Sequence, residues 1–192
     1  NNTNFYGATK VAGEQMCRSL YHRHKGSDRH WDYVGLRYMN VYGPRQDYHG
    51  AYVAVVMKIL DRLDRGLPPI VYGDGSQAYD FVYVGDCARA NVCAMKADAT
   101  DEFYNVGTGR KTTIKDIAEL LLEITGSDLQ IQYEPAGPTF VKNRVGCPKK
   151  ATEQIGFEAK MELREGLQKL IEWRSGHKAE VERKRRMAGI LD

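Results

Sequence analysis

Short apolar stretches alternate along this chain with longer stretches whose apolar residues recur every three or four positions. In the clearest unit, the strand-like run at 103–106 is followed by glycines at 107 and 109, and then by an amphipathic stretch at 114–124. Thr112 and Thr113 can cap that helix. Alternation of this kind is typical of α/β proteins with parallel strands. The sequence therefore predicts an α/β fold.

The same patterns predict the remaining elements. Strands are expected at 31–38, 70–72, 81–84 and 131–133, and helices at 6–25, 51–65, 87–97 and 163–173, with a further short helix that ends at Gly156. Residues 39–50 and 135–148 are expected to be irregular. Asp86 occupies the position of an N-cap.

The composition excludes several classes of protein. Lys and Arg number 28 and Asp and Glu 25, and a net charge of +3 is too small to indicate a nucleic-acid partner. No apolar run approaches the roughly 18 residues that a membrane span requires, so no membrane partner is expected. The cysteines are few and form no Cys-x-x-Cys pair, which favours reduced thiols and a cytoplasmic location. The histidines lack the spacing of metal ligands, so no metal site is predicted.

The C-terminal segment 177–192 mixes basic and acidic residues. Such a pattern is typical of a solvated helix. The alternative is a surface that binds an acidic partner.

Tyr6 and Lys10 are four residues apart in the first predicted helix, so their side chains share one face. A lysine ammonium beside a phenol favours the deprotonated oxygen that a general base needs. The alternative is an aromatic residue that packs on the core beside a surface lysine.

Several motifs occur in a fixed order. They are YGATKVAGE at 6–14, LRYMNVYGPRQ at 36–46, GDGSQAYDFVYVGD at 73–86 and FYNVG at 103–107, followed by IGF at 155–157 and GL at 166–167. Together they resemble the NAD-dependent nucleotide-sugar epimerases and dehydratases, the extended short-chain dehydrogenase/reductases of the UDP-glucose 4-epimerase type. The resemblance covers residues 5 to about 174.

This resemblance implies a catalytic pair and a cofactor. Tyr6 would be the acid/base that takes a proton from a sugar hydroxyl, and Lys10 would bind the ribose of the nicotinamide half of NAD. The helix that carries both would also be the interface of a homodimer.

The resemblance also implies a set of residues for a nucleotide-diphosphate sugar. Asn40 and Arg144 would contact the diphosphate or the sugar, although an asparagine that bonds its own turn and a surface arginine are the alternatives. The nucleotide pocket would be lined by Ala51, Val55, Ile70 and Tyr72, each of which could instead belong to the core.

Two positions depart from the family pattern. Tyr79 stands where many members have an arginine, and Cys147 stands where an acidic residue is frequent. Both leave the nucleotide uncertain, and UDP is expected because it is the commonest in the family.

The order of the motifs implies the C-terminal part of a Rossmann-type parallel sheet and a small α/β substrate-binding lobe. Residues 1–50 would be the remnant of the NAD-binding domain. Residues 51–176 would form mainly the nucleotide-sugar lobe, with 74–106 partly returning to the Rossmann sheet, and 177–192 would be a charged tail. The family's glycine-rich turn and its catalytic Ser or Thr precede these motifs, so we expect a truncated chain.

The expected activity is epimerisation of a nucleotide-diphosphate sugar, by oxidation to a keto-sugar and reduction from the other face. UDP-hexose is the expected substrate. A 4,6-dehydratase and a non-catalytic nucleotide-sugar-binding fragment are the alternatives, because the residues that would distinguish them lie outside the motifs present. A nucleic-acid-binding tail is a weaker reading.

Overall fold

The computed structural model describes residues 5–47, 55–136, 142–187 and 189, and within them the chain forms seven helices and nine short strands. The helices are α1 (Phe5–His24), α2 (Val55–Asp64), α3 (Val84–Lys96), α4 (Ile114–Thr125), α5 (Lys149–Ile155), α6 (Leu163–Gly176) and α7 (Lys178–Met187). The strands are β1 (Val34–Tyr38), β2 (Asn40–Tyr42), β3 (Ile70–Tyr72), β4 (Ala78–Tyr79), β5 (Phe81–Tyr83), β6 (Glu102–Val106), β7 (Thr112–Thr113), β8 (Gln132–Glu134) and β9 (Asn143–Arg144). The α/β prediction is confirmed.

Parallel pairing dominates. Strand β1 runs parallel to β6 along its whole length, and β2 and β3 run parallel to β5 and β8. Strand β4 pairs with β7 in the antiparallel sense and with β9 in the parallel sense. Only Met39 separates β1 from β2, and only Asp80 separates β4 from β5. The two single-residue junctions therefore link the separate strand pairs closely.

The described residues form two apolar cores. The larger one packs α2, α4 and α6 against β3 and β5, and its fully buried members include Ile59, Leu121 and Leu170. The smaller one packs α3 and α5 against β1 and β6. It includes Cys87, whose thiol pKa is raised to about 12 by burial, so this thiol stays protonated at neutral pH.

Helix α4 forms where its local sequence predicts it. The Thr113 side chain accepts a hydrogen bond from the Asp116 amide, and the Asp116 carboxylate accepts one from the Thr113 amide. This capping box satisfies two amides that a helix start leaves unpaired. At the other end, Gly126 adopts the left-handed conformation (φ 64°) that terminates the helix.

Three predicted features are wrong. The loops predicted at 39–50 and 135–148 contain β2 and β9, which are too short to leave a local pattern and form by pairing with β5 and β4. The N-cap of α3 is Tyr83 and not Asp86. The Asp86 carboxylate lies in the first helical turn and accepts the amides of Lys160 and Met161, each at 3.0 Å.

The charged tail is helical, as predicted, but it is packed against the protein instead of being solvated on all sides. Val181 of α7 is buried in the larger core. Arg185 donates to Asp61 of α2 at 2.7 and 3.0 Å and to Asp64 at 2.6 Å. Arg174 of α6 binds the same two carboxylates. Arg185 thus attaches the tail to α2, whereas Lys184 and Arg186 form ion pairs with Glu180 and Glu182 within α7.

Among the described residues, no helix combines the length and the apolar character that crossing a bilayer requires.

Candidate active site

The direction of α1 is set by two ion pairs. Glu14 pairs with Arg37, near the carboxyl end of β1, whereas Arg18 pairs with Asp101, which immediately precedes β6. Since β1 and β6 are parallel, α1 runs antiparallel to both. Residues earlier than Glu14 in the helix therefore extend towards the carboxyl ends of these strands. At 1.5 Å per residue, Tyr6 lies about 12 Å along the helix beyond Glu14 in that direction.

Tyr6 and Lys10 lie side by side on α1, as their spacing predicts. The Lys10 Nζ is 5.1 Å from the centroid of the Tyr6 ring, within the range of a cation–π contact. The Tyr6 side chain is 56% exposed and Lys10 is also exposed. A phenol and an ammonium group thus face outwards together, where a ligand can reach both.

Asn40 lies at the junction between β1 and β2. The amide of Met39 donates to the Val106 carbonyl at 2.9 Å, which continues the β1–β6 ladder by one residue. The next amide, that of Asn40, switches to the carbonyl of Asp80, also at 2.9 Å. Asn40 therefore follows the carboxyl end of β1, and its side chain is half-buried there.

Arg144 lies on β9 with its side chain exposed. Its carbonyl accepts a hydrogen bond from the Asp80 amide at 3.0 Å. Asn40 and Arg144, more than 100 residues apart in sequence, are thus joined through the main chain of one residue. The structure brings these two predicted substrate residues together.

The pocket-lining predictions fall on two elements. Ile70 and Tyr72 lie on one side of β3, because Val71 between them is buried in the larger core. Val55, the first residue of α2, is half-buried and packs on the same core. Ala51 lies outside the described residues.

The two positions that depart from the family pattern lie close to Arg144. Tyr79 is the register partner of Arg144 and stacks edge-on against Phe81 with centroids 6.3 Å apart. Cys147 is exposed, and its carbonyl accepts a hydrogen bond from the Asn105 side chain at 3.3 Å. Neither side chain supplies the charge of the residue that it replaces.

Sequence reasoning missed Asp80, which connects Asn40, Arg144 and the turn after β6. Its carboxylate accepts hydrogen bonds from the Thr108 and Gly109 amides and from the Thr108 hydroxyl. Two signals could have indicated it: an acidic residue inside an apolar run, and a Gly-Thr-Gly turn whose amides need an acceptor.

The Tyr6–Lys10 pair fits part of a dinucleotide. Lys10 offers an ammonium donor and Tyr6 a hydroxyl that both donates and accepts, and the two groups are adjacent and exposed. The vicinal hydroxyls of a ribose match this pair. The fit concerns one ribose only, since these two residues provide no cradle for a pyrophosphate.

Parallel strands that end together, with polar side chains at their carboxyl ends, define the class of α/β proteins that bind ligands in a crevice at that edge. Comparison with known proteins narrows this class. The model of the NAD dependent epimerase/dehydratase family matches residues 1–107. The chain belongs to this family, which confirms the resemblance and the expected cofactor, NAD.

Relatives and solved structures agree with this assignment. A putative UDP-glucose 4-epimerase of Methanocaldococcus jannaschii is 34% identical over 168 residues, which are 88% of this chain and 52% of the relative. The UDP-glucose 4-epimerase of Thermotoga maritima, solved with UDP-glucose, superposes with a TM-score of 0.80 at 38% identity, over 89% of this chain and 53% of that chain. The UDP-glucose 4-epimerase of Thermus thermophilus, solved with NAD, gives 0.75 at 34%, over 90% and 54%. The chain thus spans about half the length of the proteins that it matches.

Proposed function

We propose that the intact protein is an NAD-dependent nucleotide-sugar epimerase that acts on a UDP-hexose. The Tyr6–Lys10 pair carries the proposal, because α1 extends both side chains towards the carboxyl ends of β1 and β6 and leaves them exposed. Family membership supports the same activity, as do the matched epimerases.

Tyr6 would carry out the proton transfer. Its phenolic oxygen would take the proton from the sugar hydroxyl as that carbon is oxidised, and would return it when the carbon is reduced from the opposite face. The Lys10 ammonium, 5.1 Å from the centroid of the Tyr6 ring, would donate to a ribose hydroxyl. NAD, when bound, supplies the hydride acceptor and donor.

Binding of the nucleotide sugar falls to Asn40 and Arg144. A guanidinium group presents several donors in a plane and matches phosphate oxygens, whereas a carboxamide donates and accepts hydrogen bonds with sugar hydroxyls or phosphate. The main chains of Asn40 and Arg144 are hydrogen-bonded to the carbonyl and the amide of Asp80, which would keep both side chains at one diphosphate. Val55, Ile70 and Tyr72 would then border the base.

The test is an assay on the intact protein with UDP-glucose and NAD, with UDP-galactose detected by proton NMR. Tyr6→Phe removes the phenolic oxygen and should lower kcat about 100-fold or more, with KM little changed. Tyr133→Phe, a half-exposed tyrosine on β8, is the matched control and should retain activity.

The alternatives have distinct outcomes in the same assay. Formation of a 4-keto-6-deoxy sugar would identify a dehydratase. Binding of UDP-glucose without any product, in wild type as in Tyr6→Phe, would identify a nucleotide-sugar-binding protein and remove Tyr6 from the mechanism.

We also propose that α1 pairs with a second copy of the protein. Val11, Met16 and Leu20 are exposed on this helix, and Met16 is 65% exposed. Burial of such a side chain in an interface contributes about 1.5–3 kcal/mol. Met16→Glu should therefore shift the intact protein from dimer to monomer in equilibrium sedimentation, and an unchanged mass would contradict this interface.

A further inference from the structure

Asp80 is completely buried, although its side chain is a carboxylate. Its Oδ1 accepts hydrogen bonds from the Thr108 amide at 2.8 Å and from the Thr108 hydroxyl at 2.6 Å, and its Oδ2 accepts one from the Gly109 amide at 2.9 Å. Burial of an ionised group is costly unless its lone pairs are satisfied. Three donors from a single turn meet this requirement and hold the turn after β6 against the β4–β5 junction.

The main chain of Asp80 makes the other half of the connection. Its carbonyl accepts the Asn40 amide, and its amide donates to the Arg144 carbonyl. One residue thus contacts three segments that are remote in sequence: the start of β2, strand β9 and the turn at 107–109.

The packing around this residue leaves little room for displacement. A Cβ atom on Gly107 would lie 2.3 Å from the Asp80 Oδ2 and 2.7 Å from the Met39 Cγ. A Cβ atom on Gly146 would lie 2.8 Å from the Met39 Sδ. Met39, which precedes Asn40, is therefore held between the two glycine backbones. A movement of Asp80 would be transmitted to Asn40 through Gly107 and Met39 as well as through the hydrogen bond.

We infer that Asp80 is a positioning residue for the diphosphate of the nucleotide sugar, because it sets the relative positions of Asn40 and Arg144. This inference rests on the proposed function, in which these two side chains bind that group. Asp80 itself is buried and acts only through its two neighbours.

A carboxylate is required because the three groups that contact the Asp80 side chain all donate hydrogen bonds to it. In Asp80→Asn, the shape is kept, but the amide nitrogen can only donate, so it would face an N–H group. The turn at 107–109 must then move away, and the contacts of Asp80 with Asn40 and Arg144 move with it. The expected result is a dissociation constant for UDP that is at least 10-fold higher.

The test measures UDP binding by isothermal titration calorimetry on this chain, in the wild type and in two variants. Asp86→Asn is the matched control, since Asp86 is also buried and its carboxylate also accepts two backbone amides, those of Lys160 and Met161. Both variants should be less stable than the wild type, but only Asp80→Asn should lose UDP affinity. Equal affinities of Asp80→Asn and wild type, or equal losses in both variants, would overturn the inference.

A second variant and a ligand-free measurement keep the inference testable. If Asp80→Asn does not fold, Thr108→Val removes the hydroxyl that donates to Asp80 and accepts the Arg110 amide, but keeps the two backbone amides that Asp80 accepts. It should raise the dissociation constant by a smaller factor; an unchanged constant would count against the inference. If the wild-type chain binds no UDP, the proposed function fails for this chain. Hydrogen exchange of the backbone amides then tests whether Asp80 holds these segments together. Faster exchange at Asn40 and Gly109 in Asp80→Asn supports the inference, and unchanged exchange overturns it.

Discussion

Arg37 of β1 and Glu14 of α1 form an ion pair with two parallel hydrogen bonds, from Nε to Oε1 at 2.6 Å and from Nη2 to Oε2 at 2.5 Å. The hydrogen bonds from Arg37 lower the pKa of the Glu14 carboxyl, and those to Glu14 raise the pKa of the guanidinium. This planar geometry fixes direction as well as distance. It therefore determines how α1, with Tyr6 and Lys10, lies along the sheet.

Glu14→Gln should lower the free energy of unfolding by about 1 kcal/mol, because the pair is partly exposed and its geometry is bidentate. Urea unfolding at pH 7 measures this change. Glu119→Gln is the control, since its pairing with Lys115 is exposed and spans 3.7 Å along one helix. It should cost less than about 0.5 kcal/mol. Equal effects of the two substitutions would show that the Glu14 pair has no special role.

The second ion pair of α1 predicts that the stability of the protein falls at low pH. A hydrogen bond from the Tyr33 hydroxyl, and then one from Arg18, lower the pKa of the Asp101 carboxyl. A depressed folded-state pKa means stability that is present above the ordinary carboxyl pKa of about 3.9 and is lost as the pH falls through the folded-state value. The difference in urea midpoint between wild type and Asp101→Asn should thus shrink as the pH falls from about 5 towards 3.

Asp28→Asn provides the comparison for this acid dependence, because Asp28 is exposed near the end of the same helix. Its urea midpoints should follow those of the wild type at every pH. A gap between wild type and Asp101→Asn that persists unchanged at pH 3 would show that the ionised carboxylate is not the source of the stability.

The ion pairs that attach α7 to α2 predict that a substitution in the tail lowers the free energy of unfolding more than Glu14→Gln does. Arg185→Met keeps most of the side-chain volume but removes the hydrogen bonds to Asp61 and Asp64, and Arg174 remains as a partner for both carboxylates. The expected loss is about 1–3 kcal/mol in urea unfolding, the range for buried hydrogen bonds to charged groups. Arg186→Met, whose side chain is 73% exposed, should cost less than about 0.5 kcal/mol. Similar small losses would mean that α7 is only loosely held.

The sequence predicted best those elements whose stabilising interactions are local. Helix α4 was predicted at 114–124 and is observed at Ile114–Thr125, because its apolar period, its capping threonine and its terminating Gly126 lie within one stretch of chain. Strand β9 was missed, since its two residues are extended only through pairing with β4, more than 60 residues earlier. The docking of the tail depends on Asp61, which no local pattern relates to Arg185.

In the candidate site, too, local features could be predicted from the sequence and long-range connections could not. The Tyr6–Lys10 pair could be predicted because four-residue spacing in a helix fixes its own geometry. Asn40 and Arg144 were named through the family resemblance, and their roles stay predictions, but their connection through Asp80 could not be foreseen. The donors to the Asp80 carboxylate come from a turn 28 residues further along the chain, so only the folded structure brings them together.

Two glycines lie close to the ion pair between α1 and β1, and replacing each by alanine should change the free energy of unfolding in opposite directions. A Cβ atom on Gly13, inside α1, would meet nothing within 4 Å, so Gly13→Ala should raise the free energy of unfolding by about 0.5–1 kcal/mol through the lower entropy of the unfolded chain. A Cβ atom on Gly35 would lie 2.2 Å from the Phe103 Cδ1.

The Phe103 ring cannot easily give way, because the guanidinium groups of Arg18 and Arg37 lie 5.6 and 5.3 Å from its centroid. Gly35→Ala should therefore cost about 1–3 kcal/mol, the usual penalty for overpacking. Chemical unfolding of both variants under the same conditions measures the pair. Should Gly35→Ala be as stable as Gly13→Ala, the Phe103 ring would be able to move away from residue 35, contrary to the prediction.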